Sequence, residues 1–403
     1  MPRLRSIIWL VVLALGRLAR GRDSSRRAAV AGLINGYVHK HGAAALRNES
    51  KDAAGDLCAR KFVSNVHFPI GCQSMGNKLG SFLTNLAYAV ALNRTIFLTH
   101  PDSTKTECNG HISLRDWVIP RAELESLLEH AGCPLTEKTV DYWDCPPCGF
   151  SNSPERVIAC DSLLNSAFIF LRRDYDSSIS SFVLQRSRTL FGSPFHDRAP
   201  FEAYGLLMKR AFHFSRDVNL AVRDILAKSN APHSFRVSIH LRHRDERSTT
   251  DPSFDTPLDD SAVEALRSIV KRQANATCVV YLASDRNASI ARMERSSREL
   301  GCEPYTVDRT EESAQADSTS EHGIWALGLV QLADMFLLGH GDFFIGTKES
   351  TYSILIANLV TASALQEERP ISYPLYWLFG KEFTPYFFPE ELGSHCSRGK
   401  YTL

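Results

Sequence analysis

Three things are scarce in this sequence of 403 residues: net charge, long apolar runs and repetition. Lys and Arg number 46 against 45 Asp and Glu, a formal charge of +1. Such a balance provides no chain-wide basic field of the kind nucleic-acid binders use to displace counterions, so nucleic acid is not the default partner. The unbroken apolar run from Ile7 to Leu15 is about half the ~20 residues a bilayer-spanning helix needs. No internal repeat and no transmembrane hairpin is present, which excludes a repeat array. What is present is a globular composition, 44% hydrophobic and 23% charged, at roughly two to three domain lengths.

The neutrality is a sum of unlike parts. Residues 1–47 hold nine of the basic side chains and a single acid, Asp23, so the remainder sits near −7. Arg3 and Arg5 precede the apolar run, and Ala14 and Gly16 supply small residues at its end. This is the form of a secretory signal peptide. It also fits a signal anchor, if Leu18 and Ala19 extend the span and Arg17 snorkels, or an Arg-rich, acid-poor transit peptide. The expected location is the Golgi or secretory lumen, as a type II membrane protein or a secreted one.

Ten cysteines, an even number with seven between Cys58 and Cys160, suit an oxidising compartment and disulfides. Asn48, Asn93, Asn275 and Asn287 each begin a formal glycosylation triplet. Cys145 and Cys148, with Cys133 and Cys160 around them, form the alternative of a four-thiolate zinc site.

Residues 20–57, rich in Arg, Ala and Gly, have weak periodicity and read as a tether, with order beginning near Cys58 to Phe68. An apolar lead to Ile70, a turn from Gly71 to Asn77, a helix from Leu79 to Leu92 and a strand from Thr95 to Thr99 make a βαβ pattern. Pro101 to Ser193 is irregular, and a helical segment follows from Phe201 to Leu226. Strands are expected over Phe235–Leu241, Thr277–Ala283, Glu303–Val307 and Asp342–Gly346. Helices are expected over Ala288–Leu300, Ile324–Leu338 and Ser350–Val360. Two such alternating blocks predict an α/β protein with two Rossmann-like domains.

Polar residues gather at the carboxyl ends of those strands, where open α/β sheets bind ligands. Arg242, Arg244 and Asp245 follow one strand, Asp285 the next, and Thr347 to Thr351 a third. Arginine offers a planar fork for phosphate oxygens. Ser350 and Thr351 add hydroxyls at a helix start, and Gly71, Gly76 and Asn77 a second N–H-rich turn. The set suits a diphosphate held between two domains. The alternative is a structural salt-bridge cluster of Arg242, Arg244, Asp245 and Asp285.

At these residues the sequence resembles the GDP-fucose-dependent fucosyltransferase superfamily, which joins α1,2- and α1,6-fucosyltransferases with protein O-fucosyltransferases. The resemblance covers most of residues 66–360 in order. It rests on Gly71–Leu79 with Asn93-Arg-Thr-Ile-Phe, on Ile239-His-Leu-Arg-His-Arg-Asp245, on Val280–Asp285, and on Leu332-Ala-Asp334 through Asp342–Thr351. It implies a GT-B fold, two Rossmann-like domains facing a central cleft: residues 58–210 on the acceptor side with a Cys-rich insertion, and residues 211–403 on the donor side. Residues 1–22 are then the signal peptide or anchor and residues 23–57 the stem. It implies inverting transfer of fucose from GDP-fucose to a hydroxyl of a glycan or glycoprotein, with no metal or other cofactor.

Position by position, Arg242 matches the Arg on the donor phosphates, and His240 and Asp334 match positions that read guanine. Asp245 and Asp285 match carboxylates that organise the nucleotide site. Ser350 and Thr351 match hydroxyls at the phosphates, and Gly76 and Asn77 the Gly-Asn turn. The sequence departs from the pattern at Ser74, where a Gly is usual, and at His243, which replaces the second Arg of a pair, with Arg244 shifted by one. Where one branch has a candidate base, this sequence has Thr249 and Thr250, with Glu246 and Asp251 on either side. Asp251 is the expected base and Glu246 the other candidate. Phosphate capture alone does not choose a base, so a GT-B enzyme of another nucleotide sugar is the nearest alternative. A non-catalytic sugar-binding or scaffold protein that retains the fold is the other.

Overall fold

Two parallel sheets organise the chain. The computed structural model describes residues 32, 34–52, 54–65, 76, 79, 82, 83, 86, 89, 90, 93–98, 111–114, 117–133, 139–140, 157–160, 199–230, 234–243, 258–273, 276–308, 321–347, 350–366, 375–379 and 382–385. The apolar run of the leader, the Cys145–Cys148 pair and the polar stretch after Asp308 lie outside them. Among the described residues no helix is long and apolar enough to cross a membrane.

The first part carries helices α1 (Ala43–Asp52), α2 (Ala54–Ala59) and α3 (Arg121–His130). Its strands are β1 (Phe62–Asn65), β2 (Thr95–Leu98), β3 (Ile112–Ser113), β4 (Ile119–Pro120), β5 (Thr139–Val140) and β6 (Val157–Cys160). Five of these pair in the order β4-β2-β1-β6-β5, all parallel. The tether reading of residues 20–57 does not hold for residues 34–57, which are largely helical. Ile34, Tyr37 and His41 are buried along one face, and Ala43 and Leu46 pack with Leu57, Phe62 and Phe97. Interleaved Gly and Ala diluted that periodicity in the sequence.

The helix expected over Phe201–Leu226 is two, α4 (Ala199–Ala211) and α5 (Arg216–Ser229), separated by β7 (His213–Phe214). Two local facts make the break. The strand pairs antiparallel with β3, and the Ser215 hydroxyl accepts from the Val218 N–H at 3.3 Å, starting a new helix as its N-cap.

The second part alternates regularly. It runs β8 (Ser234–Leu241), α6 (Leu258–Arg272), β9 (Thr277–Ser284), α7 (Asn287–Glu299), β10 (Cys302–Thr306), α8 (Glu321–Leu338), β11 (Phe343–Thr347) and α9 (Thr351–Gln366). It then closes with β12 (Leu375–Phe379) and β13 (Glu382–Pro385). The strand order is β10-β9-β8-β11-β12-β13, parallel except for the last pair. Helix α6, which the sequence pattern did not reveal, supplies the crossover between β8 and β9. Its buried Leu258, Ala262, Ala265, Leu266 and Ile269 lie on one stripe.

Side chains alternate across this sheet. Phe235, Val237, Ile239 and Leu241 of β8 join Val280 and Leu282 of β9 in a core with α6 and Met293. Val279, Tyr281 and Ala283 face the other core, with α8 and α9. Both helices are buried on most sides, as their near-continuous apolar sequences require. At α4, a Cβ on Gly205 would lie 2.0 Å from the Asn358 carbonyl oxygen, so only glycine permits that close crossing with α9.

Disulfides join Cys58 to Cys133 and Cys278 to Cys302. The second links registered partners on β9 and β10. With Cys133 bonded to Cys58, the four-thiolate zinc alternative that needed it is excluded.

Candidate functional site

The remaining side chains of β8 are polar: Ser234, Arg236, Ser238 and His240. A strand between two cores has no use for such a stripe unless each group is satisfied. Arg236 donates from its backbone and guanidinium to Asp342 at 2.8 to 3.4 Å. The Ser238 hydroxyl donates to the Leu338 carbonyl at 2.6 Å. These bonds fix the turn between α8 and β11 to the strand. His240, only 6% exposed, meets the start of α9, its Nδ1 lying 2.6 Å from the Ser353 Oγ. The stripe thus leads up the strand to its carboxyl end.

That end is the topological switch point. Strands β9 and β10 lie on one side of β8, and β11 and β12 on the other. The crossovers therefore diverge there, which is where open α/β sheets place their ligand crevice. Thr347, the last residue of β11, ties the two strand ends together: its Oγ1 accepts the Arg242 N–H at 2.9 Å and donates to the His240 carbonyl at 3.3 Å. Arg242 Nη1 donates to Asp285 Oδ2 at 2.7 Å, and the His243 N–H donates to Asp285 Oδ1 at 3.0 Å. The Arg242 side chain remains 52% exposed and Asp285 25%. One carboxylate, at the end of β9, therefore holds the guanidinium and the backbone beyond it while leaving the cation open to solvent.

The nearby helix starts complete the edge. Ser350 accepts the Ser353 N–H on its Oγ at 3.3 Å and the Ile354 N–H on its carbonyl at 3.1 Å, capping α9. Gly346 pairs with His240 across the strands, and a Cβ there would lie 2.4 Å from the Phe344 ring and 3.3 Å from the Ser353 Cβ. Tyr352 lies against His240 at a ring separation of 4.8 Å, and its hydroxyl donates to the Gln331 carbonyl in α8. Asp334 is one turn beyond Gln331, 5% exposed.

The structure therefore brings Arg242, Asp285, His240 and Ser350 to one edge, with Asp334 in the adjoining helix. Thr351 opens α9. Gly76 is buried and already helical, so the helix begins earlier than the expected turn at Gly71 to Asn77 allowed. Asp245, Glu246, Asp251 and Asn77 lie outside the described residues. Among the described residues no cluster of three or more His, Cys, Asp or Glu has the arrangement to hold a metal ion.

Sequence reasoning missed a second polar group behind the edge. His243, buried, places its Nε2 at 2.7 Å from the Ser289 Oγ, and the Ser289 hydroxyl donates to Asp259 Oδ2 at 3.0 Å. Asp259 Oδ1 lies 3.3 Å from His243 Nε2 without a hydrogen bond. Burial opposes ionisation of Asp259, but the His243 ring and the Ser289 hydroxyl, with Arg292 nearby, outweigh it and hold the carboxyl below its ordinary pKa. A depressed folded-state pKa means stability that is present above the unfolded value and lost as pH falls through the folded one. Asp259→Asn should therefore flatten the acid limb of a stability-against-pH curve measured by urea unfolding, with stability near neutral pH lowered toward the acid value.

No protein-family model matches the sequence, and no curated protein matches it. The fold does match solved structures. A mutant of FUT1 from Arabidopsis thaliana in complex with GDP superposes with a TM-score of 0.51 at 13% identity, over 88% of this chain and 79% of that one. Fucosyltransferase NodZ from Bradyrhizobium gives 0.43 at 14% identity, over 81% and 98%. POFUT1 in complex with GDP-fucose gives 0.39 at 13%, over 75% and 95%. The likeness to FUT1 shows a shared α/β fold.

Proposed function

We propose that this chain is an inverting fucosyltransferase that moves fucose from GDP-fucose to a hydroxyl of a glycan or glycoprotein. The observation that carries the reading is the exposed Arg242 guanidinium at the switch point, held by Asp285 and by the Thr347 clamp. The solved FUT1 structure whose fold it shares is in complex with GDP, which supports a guanine nucleotide as the donor's base. In this reading the two parallel sheets are the two domains of a GT-B enzyme.

Each residue then has a task. Arg242 faces the diphosphate and stabilises the charge that develops as GDP departs. Asp285 sets the guanidinium's direction. The start of α9, with Ser350 and Thr351, offers hydroxyl and N–H donors to phosphate oxygens. His240 and Asp334 read guanine, where a carboxylate suits the N1–H and N2–H pair. Asp245 organises the nucleotide site, and Gly76 and Asn77 approach from the first domain. Asp251, or Glu246, takes the proton of the acceptor hydroxyl as it attacks the face opposite GDP, which inverts the anomeric carbon. The chemistry needs no metal, because the guanidinium supplies the charge. The basic leader and the disulfides support a secretory lumen.

Thermal shift with GDP and UDP tests the donor. GDP should raise the melting temperature and UDP should not, and at 100 times Kd the gain corresponds to about 2.7 kcal/mol. Asp334→Ala should weaken GDP by about tenfold or more, the loss of a charge-assisted contact. A UDP preference would transfer the reading to another nucleotide sugar. Indifference of Asp334→Ala to GDP would remove that residue from guanine recognition.

A further inference from the structure

We infer that His243 is a positioning residue that acts on donor binding through Arg242, by way of a hydrogen-bonded chain from His243 through Ser289 to Asp259. The inference rests on the donor reading above.

The two residues after β8 point apart. Arg242 is open at the edge, while the His243 ring is buried between the first turns of α6 and α7. Asp259 is the second residue of α6, and Ser289 the third of α7. Since the Ser289 hydroxyl gives its one proton to Asp259, the 2.7 Å contact with His243 requires the ring Nε2–H to be the donor. Donor and acceptor order is therefore settled along the whole chain: ring to hydroxyl to carboxylate.

Three holds converge on this dipeptide. Thr347 accepts the Arg242 N–H, Asp285 accepts both the Arg242 guanidinium and the His243 N–H, and the ring ties the same backbone to two helices. The first two reach the dipeptide from neighbouring strand ends, and the third fixes it from below. Without the ring, residues 242 and 243 are held on the strand side only, and the guanidinium of a long, flexible side chain loses its fixed origin. His243 and Ser289 are buried and hydrogen-bonded and Asp259 is 15% exposed at the end of the chain, so the three form a rigid support.

GDP affinity in a double-mutant cycle tests the coupling, measured by calorimetry well below the melting temperature of every variant. His243→Leu should weaken GDP about tenfold in the wild-type background and less than about twofold on Arg242→Ala. His243→Gln, whose amide N–H can reach Ser289, should restore most of the affinity. Additive losses, or a lower melting temperature with unchanged GDP affinity, overturn the inference. If His243→Leu does not fold, Ser289→Ala takes its place in the same cycle. If wild-type protein does not bind GDP, the donor reading falls separately. Positioning is then decided by phenylglyoxal modification of Arg242, followed by peptide mass spectrometry. A rate several-fold higher in His243→Leu than in wild type supports it, and equal rates overturn it.

Discussion

Arg242→Ala is expected to lower turnover of GDP-fucose by about 10³-fold, the upper range for removal of one transition-state donor, and to leave the melting temperature unchanged. The two halves of that result come from the same geometry. The pair with Asp285 is half open on the arginine side, and ion pairs so exposed contribute about 0–1 kcal/mol to folding. The alternative of a purely structural salt bridge therefore has little stability to explain. Charge on the departing GDP, by contrast, grows only as the glycosidic bond breaks, so a guanidinium aimed at it acts mainly on the transition state. The loss should fall chiefly on kcat, with a smaller rise in KM. Arg242→Lys keeps the charge but not the planar fork and should recover part of the rate. Steady-state kinetics with circular dichroism melting checks both halves. Near-wild-type turnover by Arg242→Ala would remove the guanidinium from the mechanism.

Asp285→Ala should cost about 10²-fold in kcat/KM, again through misdirected transition-state charge, but with a different signature. This carboxylate accepts from the Arg242 guanidinium and from the His243 N–H. Removing it frees the cation and also strands a part-buried backbone donor, which costs about 1–3 kcal/mol of stability. Activity and melting temperature should fall together, where Arg242→Ala loses activity alone. Asp285→Asn retains an acceptor oxygen and should lie between. Equal melting temperatures for Asp285→Ala and wild type would mean that the carboxylate does not hold the backbone.

The second half of the fold was legible because β9 and β11 are near-continuous apolar runs, as buried parallel strands tend to be, and β8 alternates apolar and polar residues, each giving way abruptly to charge. Thr277–Ala283 was expected and Thr277–Ser284 is found; Phe235–Leu241 is extended only by Ser234. Helix α6 escaped because several of its buried positions are Ala262, Ala265 and Ser261, small residues that leave a faint stripe. The break between α4 and α5 depends on pairing with β3, about 100 residues earlier, which no local window contains.

The site divides the same way. Arg242 and Asp285 stand at visible strand ends, so their meeting followed from the parallel sheet. Thr347 was noticed only as part of a polar cluster, and its role as a clamp appears once β8 and β11 are neighbours. The chain from His243 through Ser289 to Asp259 joins three elements and could not be inferred from spacing. Its one trace in the sequence was the departure at His243 from the Arg pair of the resembled family.

In the proposed reaction the carboxyl edge of the second sheet takes GDP-fucose and releases its sugar to an acceptor hydroxyl. Transfer from labelled GDP-fucose across a glycan array, with Arg242→Ala run in parallel, tests it most directly. Wild-type protein should label a defined set of acceptors, and the variant should give background. Equal label with both proteins, or transfer from a UDP-sugar and none from GDP-fucose, would contradict it.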